Sequence, residues 1–516
     1  MALFPPGGSH QEREFNEELK IFGKFLGNEG LVQSSDAQKI LQEELKMTPL
    51  FSMSIKQAAL KQGIVDFGQY AVLGHVIPMT FDGSINNLAT KLSGVSLDEP
   101  QSESNNTIDP VLLNTNTPWS AFICGSQGSG KSHTMSCILE NCLLPDAQIG
   151  KLAYPLAGLV FHYDSMDSSH CEAAHLCSQG IQVKVLVSPS NYQTLKTKYG
   201  TLPGAEKHLK VQQLWLHGSH LNTERIKRLM AFGDDSEQPP LYLQASRLPP
   251  FMALQTGGAS TFDYDLFKRR LEAEMFTDRQ SGPLKLRLDI LESFMEKGTK
   301  KAQGSTLLEG QPGTLTIVDL TDPTIDTNTA CVLFDIALAI FLEKTTTCGK
   351  IVGLDEAHNY LHNGAASENF TNSLLKAVRE QRHRATRVVV ATQEPTVSPK
   401  FINLCSMTFV HGFNSPEWLD TLRKHIAGAA SVAEEFQKSG QRFLDHIVKL
   451  NTGESFLFSR LALLDVENGK PVKLGAKVRK FRTRQRLTHD GGRSQNATEQ
   501  AGLGCLSAAG CGERDE

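Results

Sequence analysis

The chain has 516 residues, which suggests two to four domains at about 150 residues each, or one large domain with insertions. Its 52 Lys+Arg against 56 Asp+Glu give a net charge of −4, which excludes a histone-like polycation and an acidic solvating protein. With 40% hydrophobic residues the interior is an ordinary globular one that needs no disulfide staples, and the ten cysteines, which lack repeated close spacing, read as reduced thiols of an intracellular protein.

The start, MALFPPGGSHQEREF, has neither a basic n-region nor an apolar core, so no secretory signal is expected. Residues 1–95 read as a mixed, mostly helical region, with Phe15, Leu19, Phe22, Phe25 and Leu26 at helical spacing. Residues 96–109, SLDEPQSESNNTID, are polar and turn-rich and mark a linker. The segment 110–487 is expected to be one α/β domain. Short apolar runs punctuate it at Ser120–Cys124, Leu159–Tyr163, Val183–Ser188, Thr314–Leu320, Lys350–Leu354, Arg387–Ala391, Met407–His411 and Ser455–Ser459. Helix-period stretches such as His133–Leu143 and Ala330–Glu343 lie between them, the pattern of a buried, largely parallel sheet. Residues 192–304 break this rhythm and read as a helical insertion. From 488 to 516 the chain is rich in Gly, Ser and Ala and is expected to be disordered. The longest apolar run, Cys331–Leu342, contains Asp335 and falls short of the roughly 20 residues a membrane span needs, so a soluble chain with no membrane partner is expected. Nothing in the chain separates nucleus from cytoplasm.

The strand Ala121–Cys124 runs into Gly125, Ser126, Gln127, Gly128, Ser129, Gly130, Lys131 and Ser132, a full G-x-x-x-x-G-K-[ST], and then into a helix pattern. Glycines let successive N–H groups curl around phosphate oxygens, and the helix N-terminus adds the positive end of its dipole. Lys131 supplies a point charge for the β- and γ-phosphates and Ser132 a hydroxyl for Mg²⁺. His133, the next residue, belongs to the same nucleotide-binding set. ATP and Mg²⁺ are the cofactors this loop calls for.

A second acidic partner for the metal is expected at the end of another strand. In KIVGLDEAHNYL, Asp355 ends the strand Lys350–Leu354 and would hold the Mg²⁺ shell; Glu356 would polarise the attacking water. Asp164 and Asp319 are weaker rivals for the metal. The DEAH string does not make a DEAH-box helicase, because no Ser-Ala-Thr motif follows and the chain is too short for a second lobe. No Asn-Lys-x-Asp guanine reader supports a GTPase. The basic helix Leu374–Arg384 leads to the strand Arg387–Ala391, then to Thr392 and Gln393, a candidate to sense the γ-phosphate or orient water. Arg379, Arg382, Arg384 and Arg387 are expected to crowd the approach, and an arginine across a subunit interface would stabilise transition-state charge.

Residues 470–486 carry eight Lys/Arg and no acid. Val472, Leu474, Ala476 and Val478 alternate with Lys473, Gly475, Lys477 and Arg479, so one strand is expected with a basic face that tracks phosphates or protects an edge. His170, Cys171, His175 and Cys177 invite a zinc reading, but without a CxxC pair a helical stretch packing its thiols is expected instead.

Together these pieces resemble the HerA–FtsK class of P-loop ATPases, on the HerA side. The match comprises GSQGSGKS, TIVDLTDP, LDEAHNYL, REQRHRATRVVVATQEP, a strand with His411, and LNTGESFLF; Gln381 departs from the glycine often found before the second arginine. The stretch TNTPWSAFICGSQGSGKSHT also looks like that of fungal P-loop NTPases. The resemblance covers about 110–486 and implies a RecA-like homo-oligomeric ring, usually hexameric, that moves DNA through its pore. It also implies the role across a subunit interface for Arg379 or Arg382. The other function class open at this point is a nucleotide-dependent switch or signalling scaffold with slow turnover.

Overall fold

The central strands, Ser120–Cys124, Ala157–His162, Lys350–Leu354 and Thr386–Thr392, are buried along their whole length between two helical layers. The computed structural model describes residues 34–78, 108–165, 170–216, separate positions between 264 and 295, 307–343, 346–361, 364–395, 399–438, 440–467 and 470–490. Residues 1–33, nearly all of the expected linker, most of the expected insertion and the tail from 491 lie outside the described residues.

The strands are β1 (Leu50–Ser52), β2 (Tyr70–Ile77), β3 (Pro110–Asn114), β4 (Ser120–Cys124), β5 (Gly150–Lys151), β6 (Ala157–His162), β7 (Gln182–Val187) and β8 (Leu209–Gln213), followed by β9 (Thr314–Asp319), β10 (Lys350–Leu354), β11 (Thr386–Thr392), β12 (Met407–Val410), β13 (Glu454–Phe458), β14 (Leu463–Glu467), β15 (Lys470–Lys473) and β16 (Arg479–Thr483). They form one sheet in the order β15-β14-β1-β3-β2-β16-β13-β12-β4-β11-β10-β6-β9-β7-β8, with β5 paired to β2. From β12 to β8 every neighbouring pair is parallel. On the other side of β12 the pairings are antiparallel, apart from the short parallel contact of β1 with β14.

Alternation along each central strand sends side chains to two cores. Phe122 of β4 and Val388 and Val390 of β11 join one apolar cluster; Ala121, Ile123, Val389 and Ala391 join the other. Helix α1 (Lys131–Leu143) covers the second face. Helix α2 (Thr327–Glu343), apolar around nearly its whole circumference and buried accordingly, covers the first with α3 (Ala365–Arg379). Gly353 in β10 lets α1 approach: a Cβ there would sit 2.6 Å from Met135 Cε.

The N-terminal segment 34–78 is not helical throughout. Two helices, Ser34–Met47 and Met53–Lys61, flank β1, and β2 is laid between β3 and β16. The expected single strand over 472–479 is also broken. β15 stops at Lys473, Gly475 takes a left-handed turn at φ +62°, and buried Leu474 and Val478 anchor the bend before β16. β15 is a sheet edge, whereas β16 is interior.

Candidate nucleotide site

Register places the site. In the ladders, Cys124 stands opposite Thr392 and Val410, Leu354 opposite Phe161, and His162 opposite Asp319, so the carboxyl ends of β4, β11, β12, β10, β6 and β9 share one edge. Whatever follows those residues emerges at that edge. Gly125, Asp355 and Gln393 do so directly. β11 separates the strand of the phosphate loop from the strand of the acidic pair, the RecA-like arrangement.

The loop is glycine-rich for steric reasons. Gly128 and Gly130 take left-handed backbone at φ +75° and +105°, and Gly130 caps α1. A Cβ on Gly130 would strike the backbone N of Gly453 at 2.7 Å. The turn before β13 indeed closes on the loop, Gly453 N–H donating to Ser129 O at 3.1 Å. Ser126 donates through its N–H and its hydroxyl to Gly412 O, at 2.9 and 2.8 Å, and Ser129 Oγ donates to Ser126 O at 2.7 Å. Lys131 folds back over the loop and donates to Ser126 O at 3.1 Å. Burial lowers its pKa, while Glu356 and Asp355 act in the opposite sense. Ser132 is half-buried at the helix start. His133 points elsewhere: its Nε2 lies 2.7 Å from Arg484 O, in the chain beyond β16.

Asp355 is buried, its N–H donating to Phe161 O at 3.0 Å. Glu356 has left-handed backbone at φ +45°, one of two described non-glycine residues that do, a conformation costing roughly 1–2 kcal/mol. Such strain at a strand end re-aims a side chain. Glu356 Oε2 thereby meets Gln393 Nε2 and His358 Nδ1, each at 3.4 Å. Burial, then the charge of Asp355, raises the Glu356 pKa above the ordinary glutamate value; Lys131 and Gln393 pull the other way. The structure therefore brings Lys131, Asp355, Glu356 and Gln393 to one place.

It does not bring the arginines there. Arg379 ends α3 and Arg382 lies in the short helix Gln381–Arg384, both exposed and both before the start of β11. The site is at the other end of that seven-residue strand, roughly 20 Å away. Arg384 pairs with Glu380 at 2.7 Å. Arg387 is buried and donates to the carbonyls of Ala385, Thr115 and Asn116 at 2.7, 2.9 and 2.9 Å, which ties β11 to the turn after β3. None of the four crowds this subunit's own site.

Of the rivals for the metal, Asp319 accepts from Tyr199 OH at 2.5 Å and from Thr321 N–H at 2.9 Å, and Asp164 sits past the end of β6 with its N–H on Thr321 Oγ1. The basic run 470–486 is largely committed to ion pairs. Lys473 meets Glu44, Lys477 Glu467, Arg479 Asp465, Lys480 Glu454, Arg484 Glu140 and Arg486 Glu172. Six of its eight cations thus have a carboxylate partner, and the run is divided between the edge strand β15 and the interior strand β16 instead of forming one basic strand face. His170 and His175 pair with one another at 3.2 Å, and Cys171 and Cys177 are buried around a 3₁₀ helix, Glu172–Gln179.

Two features escaped the sequence reading. The closure of Thr452-Gly453 over the phosphate loop joins segments with no local signal in common, although the turn itself was legible. His162 and Cys171 lie against Asp355 and were not associated with it; the place of His162 at a strand end beside the acidic strand was the available clue.

A mostly parallel α/β sheet with a phosphate loop at the carboxyl edge and an acidic strand two places away defines the RecA-like P-loop class. No family model matches the chain, and no curated protein does. Among solved structures it is similar to VirB4 of Thermoanaerobacter pseudethanolicus, at 12% identity and TM-score 0.39 over 75% of this chain and 92% of that one. It is also similar to the plasmid coupling protein TrwB in complex with ADP and Mg²⁺, at 12% identity and TM-score 0.41 over 84% and 99%. A third is the genome packaging NTPase B204 from Sulfolobus turreted icosahedral virus 2 in complex with AMPPCP, at 14% identity and TM-score 0.21 over 32% and 74%. With TM-scores this low, it is the strand order and register of the chain itself that define the class. Among the described residues no helix is long and apolar enough to cross a membrane.

Proposed function

We propose that the chain binds ATP with Mg²⁺ on Gly125–Ser132 and hydrolyses it, as a HerA-like motor ATPase that works as a homo-oligomeric, hexameric ring on DNA. The observation that carries the hydrolytic part is the convergence of Lys131, Asp355, Glu356 and Gln393 at one sheet edge. The residues suit a phosphate ligand. A Cβ on Gly128 would have nothing within 4 Å, so bare backbone is presented to open space. The Lys131 ammonium has three donors and uses one on Ser126 O. Ser132 and Asp355 offer the oxygen donors that Mg²⁺ prefers. When bound, Mg²⁺ would supply neutralising charge to the β- and γ-phosphates.

Lys131 binds phosphate oxygens as a point charge. Glu356 takes the proton of the attacking water, and its raised pKa suits a general base. Gln393 holds the Glu356 carboxylate and orients the water. Asp319, held by Tyr199, is left out of the reaction. The remote placement of Arg379 and Arg382 supports an arginine supplied by a neighbour, and the DNA substrate rests on the resemblance alone. That same placement favours a second reading. In a lone subunit neither Arg379 nor Arg382 reaches the site, and turnover would be slow, as in a switch.

Phosphate release tests the proposal. Glu356→Gln should bind nucleotide near-normally and hydrolyse it 10²–10⁴-fold more slowly, roughly the range for loss of a general base. Unchanged turnover would move that role to another carboxylate. Turnover per chain that does not depend on protein concentration would favour the switch.

A further inference from the structure

Beside the candidate nucleotide site lies a donor set that the ATPase reading leaves unused. His162 ends β6, Cys171 precedes the 3₁₀ helix, and both reach Asp355 at the end of β10. Cys171 Sγ is 3.8 Å and His162 Nδ1 3.6 Å from the same carboxylate oxygen, Asp355 Oδ2. One donor atom from each of the three residues lies within 4.8 Å of the other two, and all three residues are buried. Among the described residues neither ring nitrogen of His162 makes a hydrogen bond, although the residue is only 2% exposed. A buried imidazole with one long carboxylate contact and no hydrogen bond is costly unless something else satisfies it.

We propose that His162, Cys171 and Asp355 form a site for a borderline-soft divalent cation, Zn²⁺ above all, that competes with the nucleotide's Mg²⁺ for Asp355. Zinc bonds of about 2.3 Å to sulfur and about 2.0–2.1 Å to nitrogen and oxygen, at tetrahedral angles, give donor–donor edges of about 3.6 Å for S–O and about 3.4 Å for N–O. The two separations to Asp355 Oδ2 exceed these by about 0.2 Å, and the sulfur–nitrogen edge, which lies within 4.8 Å, must close by rotation of the Cys171 and His162 side chains. The charges also balance. A thiolate and a carboxylate neutralise Zn²⁺, the imidazole stays neutral, and the buried site carries no net charge. Mg²⁺ takes oxygen donors and gains nothing from the sulfur, so the soft donors discriminate. Binding releases the thiol proton of Cys171, and any proton on His162, to solvent. A fourth position is left for water or a phosphate oxygen.

Cobalt(II) titration of the full chain is the direct test, since a thiolate ligand gives an intense sulfur-to-cobalt charge-transfer band that Zn²⁺ then quenches. The wild type should show the band at one equivalent. Cys171→Ala should lose it, and His162→Gln should weaken cation affinity by more than the roughly 10–100-fold typical of losing a mere supporting contact. A band that persists in Cys171→Ala, or its absence from the wild type, would overturn the proposal. Should Cys171→Ala fail to fold, X-ray absorption at the zinc edge of the wild type decides: one sulfur in the shell supports the site, none refutes it. The competition with Mg²⁺ rests on the ATPase reading. There, Zn²⁺ should depress ATP turnover in the wild type but not in Cys171→Ala. A chain with no turnover at all would sink that reading and leave the spectroscopic arm standing.

Discussion

Glu140 is fully buried in the third turn of α1, and the chain beyond β16 is strapped to it. Its carboxylate accepts from Arg484 at 2.8 Å, from the N–H groups of Leu487 and Thr488 at 3.0 and 2.9 Å, and from Thr488 Oγ1 at 2.6 Å. The Arg484 side chain is only 10% exposed. Glu140→Ala leaves that guanidinium without its carboxylate and three further donors without an acceptor. Removing one partner of a buried pair costs about 3–5 kcal/mol. With unfolding entropy of about 2.1 cal/mol/K per residue, a chain of this length has about 1.1 kcal/mol/K, so the melting temperature should fall by about 3–5 °C. Arg484 also donates to Val72 O and Asn141 Oδ1, both at 2.9 Å, so Arg484→Met should cost a comparable amount. The double variant Glu140→Ala/Arg484→Met should be more stable than the sum of the single losses by about 0.5–3 kcal/mol, because no charge is stranded. Nucleotide affinity should not follow stability, since Glu140 lies nine residues along α1 from Lys131, about 13 Å. Calorimetric melting with ligand titration reads both. A Glu140→Ala protein melting within about 1 °C of the wild type, or strict additivity in the cycle, would refute the reasoning.

Gly130→Ala should destabilise more than Gly128→Ala. The first drives a Cβ into the Gly453 backbone, whereas the second meets nothing within 4 Å and bears only the left-handed cost of about 1–2 kcal/mol; equal melting temperatures would refute the contrast. Burial above all, with the charges of Lys131 and His133, holds His411 down to about 3 against its hydrogen bonds. A lowered folded pKa means that this stability is complete above about pH 6.5 and is lost as pH falls toward 3, at up to about 1.4 kcal/mol per unit. His411→Asn should flatten the acid limb of a denaturant-unfolding series by that slope, and parallel limbs between about pH 6 and 4 would count against it. Arg379→Ala or Arg382→Ala should bind nucleotide but be nearly inactive alone, and mixing with Glu356→Gln should restore some phosphate release. No recovery for either arginine variant would remove the ring-motor reading.

The parallel half of the sheet was legible because buried parallel strands are continuous apolar runs. Ser120–Cys124 and Lys350–Leu354 carry the same bounds in the sequence and in the structure. The antiparallel half was not. β1 has three residues, too few for any periodicity, and β2 carries Gly74 in its middle, where a Cβ would meet Arg482 O at 2.1 Å. The β14–β15 pair flanks an Asn-Gly dipeptide, a hairpin signal that went unread beneath the charge of the following residues. Asp355, Glu356 and Gln393 could be placed because each sits next to a recognisable strand end, and Lys131 because it opens the helix after a complete phosphate-loop motif. Cys171 could not be joined to Asp355, 184 residues away, because nothing local marks an encounter made by the sheet. Arg379 and Arg382 are near Gln393 along the chain but stand at the opposite end of β11, because the residues between them are spent on crossing the sheet.

The seating of β2 between β3 and β16 governs how the chain comes off the ribosome. Val72 O accepts from Arg484, 412 residues downstream. At about 5–20 residues per second, synthesis of that interval takes about 20–80 s. Throughout it, the Gly74–Ile77 part of the ribbon YAVLGHVI, beyond the short cover that β5 gives Tyr70 and Ala71, has one rim with no strand on it, a template for pairing with other nascent chains. The sheet is therefore sealed last at a seam made from both flanks of the sequence: deleting 479–483 bares the rim of β2, and deleting 70–77 bares the facing rim of β16. Two distant truncations should share one aggregation phenotype, relieved by charges placed on the bared strand.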